Sequence, residues 1–156
     1  MAQSQSAQQS GGQKGQKGQA TGLLLVRITL GVYLFFMGVS KASWLLDSTP
    51  LANQLSQWLG ASTPMSRWYL DRIMPGAPIF ARIIPLAEMI GGLALALGIW
   101  TRLAAALCLV MVLNFQVAAS AMFRYSYLTD ATGLPILGAL LGLMIGGGRL
   151  PFSLRR

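Results

Sequence analysis

The residue with the strongest claim to chemistry is Glu88, a carboxylate inside an apolar run that extends over roughly residues 79–101. A charge at membrane depth costs about 2.5–3.5 kcal/mol on insertion scales, so one that is kept either pairs or performs. Two roles are open to it: a ligand- or proton-binding group, or one half of a structural ion pair that fixes helix register. Tyr33, Asn114 and Gln116 are polar residues in neighbouring runs. Counting about 1.5 Å per residue from one common side puts Tyr33 at about 15 Å, Glu88 and Asn114 at about 18 Å, and Gln116 at about 21 Å. The four are therefore expected to converge on one polar pocket, with Asn114 and Gln116 also suited to hydrogen-bonding between helices. The same count puts Lys41 and Arg82 near 27 Å and Arg27 near 6 Å. A lysine stem spans much of such a gap, so Lys41 is the expected partner of Glu88, Arg82 turns to headgroups, and Arg27 faces phosphates of the nearer leaflet.

Other chemistries are closed off by composition. The 156 residues contain no histidine, which removes bis-histidine haem and the usual neutral-pH proton carrier. Cys108 is the single cysteine, so no disulfide, thiolate metal cluster or dithiol relay forms within the chain. No metal site and no catalytic residue is assigned. Net charge is +8, but the basic residues flank apolar runs instead of lining one polar face, so nucleic acid is not an expected partner.

The elements that position these residues follow from hydropathy. The chain is 54% hydrophobic and 10% charged, against about 25% charged in soluble domains. Residues 1–20 are rich in Gln, Ser and Gly without apolar periodicity and read as a disordered cytoplasmic tail. Apolar runs at about 23–46, 79–101, 102–122 and 134–150 are read as membrane spans, each near the length needed for a core of about 30 Å. The first exceeds a signal-peptide core and no small-residue cleavage site follows it, so it is kept as a span. The expected fold over 21–156 is an all-α, four-transmembrane-helix bundle. Between the first two spans, Pro50 and Pro64 start two short amphipathic helices separated at Gly60. One presents Leu51, Leu55, Trp58 and Leu59, the other Met65, Trp68, Tyr69 and Ile73, and both are expected to lie at the interface as a cap ended by Pro75-Gly76.

Small residues allow close helix approach where water cannot drive association. Gly31 and Gly38 supply them in the first span, Gly92 with Ala96 in the second, and Gly138, Gly142 and Gly146 in the fourth. Pro85 is expected to kink the second span about one turn from Glu88. Lysine and arginine in short loops favour cytoplasmic termini and an external cap.

Arg27-x3-Gly31, Gly38-x2-Lys41, Glu88-x2-Gly91-Gly92 and Gly98-x3-Arg102, in successive apolar runs, resemble the DoxX family of small bacterial membrane proteins over about residues 22–150. The resemblance implies a four-helix inner-membrane protein, related to a subunit of a thiosulfate:quinone oxidoreductase, with Arg27, Lys41 and Glu88 at motif positions. It implies a membrane subunit of a respiratory or quinone-linked redox assembly, with no cofactor within the chain and quinone as the bound group. Independent catalysis is not expected, since a partner subunit would carry the electrons. Expected partners are lipids, other membrane or redox subunits and a second copy of the chain. The alternative is a non-catalytic scaffold that docks another membrane protein through its glycine faces; a small-solute or proton transporter is a third reading, for which four spans leave little room.

Overall fold

The computed structural model describes residues 2–150, 153 and 154, with side chains from residue 18 onward except those of 123 and 149. Among these residues the chain is helical, without a strand. Helix α1 (Ala2–Ser40) is followed by α2 (Thr49–Gly60), α3 (Pro64–Ile73), α4 (Ala77–Leu97), α5 (Thr101–Ala118) and α6 (Leu134–Gly146), with short 3₁₀ turns between them. Gly18–Ser40 of α1, the stretch Pro64–Leu97 and α5 are each long and apolar enough to cross a membrane. Helix α6 is equally apolar but has 13 residues, about 20 Å of rise.

Where the sequence reads as an unstructured tail, the backbone continues α1 through residues 2–17. No atom lies within 4 Å of where a Cβ would stand at Gly18 or Gly22. Packing on the other helices begins at Leu23, which lies against Gly146 at the end of α6.

The tightest seam joins α1 to α4, and it is built on glycines. A Cβ at Gly31 would stand 2.5 Å from Ala96 N and 2.7 Å from Gly92 O, and one at Gly92 would stand 2.6 Å from Gly31 O. Two turns higher, a Cβ at Gly38 would stand 2.7 Å from the Pro85 carbonyl. Backbones at this distance gain dispersion contacts that a side chain of any size would remove. Pro85 forfeits the amide that would bond back to Ala81, yet α4 runs through it as one helix from Ala77 to Leu97.

Helices α5 and α6 close the ring between α4 and α1. Leu30, Leu34, Leu95, Ala105, Leu140 and Leu143 form the centre of the core. The fourth-span glycines are divided: Gly146 packs on Leu23, whereas Gly138 and Gly142 have no neighbour within 4 Å and face outward.

The second apolar cluster lies under α2 and α3, where Leu51, Leu55 and Leu70 are buried against Ala77, Ala81 and Ala118. Helix α2 buries the face expected of it. Helix α3 does not: Met65 and Trp68 are 66% and 58% exposed, and the buried stripe is Ser66 and Leu70, with Tyr69 and Ile73 half-buried. Both faces of α3 carry apolar groups, and the tie that chooses is polar. Ser66 Oγ donates to the Val117 carbonyl at 2.7 Å, and Thr63 N donates to Ser120 Oγ at 3.2 Å. These bonds pair the buried hydroxyls of Ser66 and Ser120, which apolar contact would leave without partners. Pro75-Gly76 forms a 3₁₀ turn that leads directly into α4. At the loop ends, the hydrogen bonds from Thr49 to Asp47 and from Thr132 to Asp130 hold both carboxyls below the usual carboxylate range.

Gly92→Ala is expected to destabilise the protein in mild detergent by about 1–3 kcal/mol through overpacking. At roughly 2–4 °C per kcal/mol for a chain of this size, thermal melting reads the loss directly. Gly138→Ala should leave the melting temperature unchanged; equal effects at both sites would refute the seam.

Candidate functional site

Lys41 follows the last residue of α1, and Glu88 lies mid-way along α4, one turn after Pro85. Lys41 Nζ donates to Glu88 Oε1 as a direct ion pair. Glu88 is 4% exposed. Its second oxygen, Oε2, is buried and has no hydrogen-bond partner among the described residues. The ammonium also stands over two aromatic faces, 5.3 Å from the Phe115 ring centroid and 5.8 Å from that of Trp44. Ring quadrupoles of this kind stabilise a cation that has lost its water. The pair thus joins α1, α4 and α5 at one point.

On the other side of Phe115, α4 and α5 part to leave a groove of about 690 Å³. Its walls are apolar along both helices, from Ile83 to Ala94 and from Leu103 to Phe115, and α2 and α3 roof one end with Trp58 and Tyr69. Trp58 packs edge-to-face on Phe115 at 6.2 Å. Polarity is confined to the roofed end, where Asn114 Nδ2 donates to Tyr69 Oη at 2.5 Å. After that bond the amide keeps a second N–H and the phenol keeps its own proton, so two donors remain for a ligand.

At the opposite end, Arg27 is 1% exposed, and its guanidinium donates to Ser153 Oγ at 2.9 Å. Room for it is made by Gly98, whose φ of 71° lies in the left-handed region and where a Cβ would stand 2.9 Å from Arg27 Cζ. Arg27 is therefore closed beneath the C-terminal segment and does not face leaflet phosphates. Arg102 donates through Nε and one terminal nitrogen to the carbonyls of Met144 and Ile145, each at 2.9 Å, capping α6. Arg82 is exposed and bonds the Pro78 carbonyl at 3.0 Å.

The expected pairing of Lys41 with Glu88 is present; the expected convergence of Glu88, Asn114, Gln116 and Tyr33 is not. Asn114 faces the groove and α3. Gln116 is turned to the loop before α6, accepting from Tyr127 Oη and donating to the Thr132 carbonyl at 3.1 Å. Tyr33 is 36% exposed and lines no part of the groove. Residues that sequence reasoning missed are Tyr69, Trp58 and Phe115 at the groove head, and Ser66, Ser120, Tyr127 and Ser153 as fastenings. A faint signal existed for one of these: Leu70, one turn after Ser66 on the same stripe, is out of place on a polar face.

An all-helical membrane protein held by an ion pair within its bundle is the class that this fold and site define. The profile of the DoxX family matches residues 22–121, more than half of the 156 residues, and the chain belongs to that family. The matched stretch contains Arg27, Lys41, Glu88 and Arg102 and ends before α6. Curated proteins and solved structures yielded no match.

Removing one member of the ion pair strands the other in a dry site. Lys41→Met is therefore expected to cost about 3–5 kcal/mol, seen as a lower melting temperature in detergent. Lys41→Met combined with Glu88→Leu should recover most of that loss. Additive losses in the double variant would show that the two side chains are not coupled.

Proposed function

We propose that this DoxX-family protein is a membrane-embedded subunit of a quinone-linked redox assembly, in the cytoplasmic membrane of a bacterium. The observation that carries this reading is the groove between α4 and α5. It offers an apolar trough for an isoprenoid tail, two hydrogen-bond donors at Asn114 and Tyr69 for a ring carbonyl, and the Trp58 and Phe115 rings beside them. The Lys41–Glu88 pair lies behind Phe115, with the ammonium 5.3 Å from its ring centroid, and holds that ring in place at the head of the groove. Quinone supplies two-electron chemistry when bound; this chain binds and orients it, and the electrons come from a partner subunit with its own redox group.

In this reading the chain crosses the membrane four times. Support comes from the path of α6: it starts after the loop at the far end of α5 and ends beside Leu23, and the following segment reaches back to the α4–α5 turn through Leu154 N and the Leu97 carbonyl at 3.3 Å. The lysine and arginine distribution favours cytoplasmic termini, with residues 1–20 as a polar tail and α2 and α3 as an external cap at the interface.

A short-chain ubiquinone analogue at a hundredfold its Kd is expected to stabilise the purified protein by about 2.7 kcal/mol, a rise of several degrees in melting temperature. Asn114→Leu should abolish the rise while leaving the unliganded protein folded. No shift with benzoquinone and naphthoquinone analogues alike would reject the reading.

The outward face of Gly138 and Gly142 favours a second reading, a non-catalytic scaffold that docks another membrane protein against α6. It predicts a fixed partner that co-purifies with the native chain and is lost in Gly142→Leu. Isolation of the native protein alone and monodisperse would count against it.

A further inference from the structure

The end of the bundle at which α4 turns into α5 has a second concavity, of about 370 Å³, that the groove does not include. Its floor is the start of α5. The first internal amide bond there is Ala104 N to the Trp100 carbonyl, so the amides of Thr101, Arg102 and Leu103 have no carbonyl one turn back. Eighteen residues of aligned peptide dipoles place their positive end at this point.

Two side chains turn this helix start into a built site. Thr101 is 5% exposed and lines the concavity, and its hydroxyl has no hydrogen-bond partner among the described residues. Its γ-methyl is the part that meets α6, where a Cβ at Gly147 would stand 2.9 Å away. Arg102 is held in place by its bonds to the Met144 and Ile145 carbonyls, which consume Nε and one N–H of the fork. The remaining N–H groups of its guanidinium are free to donate, and Gly148 beside it adds no side chain to cover them. The backbone supports the arrangement at a cost: Trp100 has φ 44°, a left-handed conformation that disfavours a bulky residue. That turn sets a half-exposed indole at the rim of the concavity.

We infer that this concavity binds the phosphate of an anionic phospholipid from the leaflet on the side of the termini. A phosphodiester accepts from orphan amides, a hydroxyl and a guanidinium together, and a helix start supplies the field for it. The lipid is favoured over a soluble anion by what adjoins the site. Trp100 and Leu103 line both the concavity and the near end of the α4–α5 groove, so a headgroup here has an apolar path for a chain directly beside it. Basic pockets between helices at this depth select anionic headgroups. The polar contacts of this inference, Thr101 and Arg102, are not those of the quinone reading, Asn114 and Tyr69, so it survives failure of that reading.

Native mass spectrometry of the full chain in mild detergent tests it, with phosphatidylglycerol, phosphatidylcholine and inorganic phosphate as probes. Phosphatidylglycerol should bind in preference to phosphatidylcholine, and excess inorganic phosphate should not displace it. Thr101→Val, which keeps the shape, is expected to weaken the adduct about tenfold, as the loss of one charge-assisted hydrogen bond. Arg102→Gln should weaken it at least as much, and Arg82→Gln, at the other end of α4, should leave it unchanged. Equal binding of the two lipids, or an undiminished adduct in Thr101→Val, overturns the inference. Displacement by inorganic phosphate reassigns the site to a free anion and overturns the lipid as occupant.

Discussion

Everything in this structure answers to one constraint: inside hydrocarbon, no water completes the hydrogen bonds or offsets a charge. The Lys41–Glu88 pair is the severest case. Its attraction is not a surplus of stability, because desolvating both groups costs about as much as their contact returns. What the pair contributes is selectivity among packings. Sliding α1 along α4 by one turn, about 5.4 Å, would separate the charges and leave each alone in lipid or protein interior. The same slide would bring side chains to the places where Gly31, Gly38 and Gly92 let the backbones touch. Charge and shape therefore specify one register of the two helices.

Features of this kind are legible in a sequence because the bilayer permits few alternatives. An acidic residue in an apolar run needs a cation, and Lys41 is the one whose stem reaches it. Glycines at Gly31 and Gly92 in adjacent spans are found face to face for the same reason. The expected gathering of Tyr33, Glu88, Asn114 and Gln116 was not legible, since depth gives only the coordinate along the membrane normal. Asn114 and Gln116 are two residues apart on one helix, roughly 200° around its axis, and residues so spaced do not face the same neighbour. One accordingly bonds Tyr69 across the groove and the other Tyr127 in the opposite loop. Direction around the axis is set by helix packing, which spacing within one helix does not encode.

The face of α3 illustrates a different gap. Met65 and Trp68 are as apolar as Leu70, and hydrophobic patterning alone gives no reason to bury one set over the other. The choice falls to Ser66, whose hydroxyl answers the Val117 carbonyl at the end of α5. A membrane surface also tolerates apolar side chains outside, so exposure there has little cost, and Arg72 lies over the Trp68 ring at 4.3 Å on that outer side. In a water-soluble domain the same Met and Trp would have competed for the core. The polar ties at Ser66, Ser120 and Ser153 link residues distant in sequence, and local reading has no handle on them.

The two ends of α5 are treated oppositely, and this asymmetry organises the molecule. At its end, the Val117 carbonyl accepts from Ser66 Oγ as well as from Ser120 N, and α2 and α3 roof the polar head of the groove. At its start, the amides are left open, and the nearest cation is pinned to α6 by two carbonyls instead of folding over them. The roofed end, the ion pair behind Phe115 and the apolar walls are the features on which the proposal of a quinone ring rests. At the start of α5, Thr101 and Arg102 are the donors on which the proposal of a lipid phosphate rests. Under the two proposals one helix would carry two kinds of recognition, at Thr101 and at Asn114, separated by about 20 Å of rise along α5.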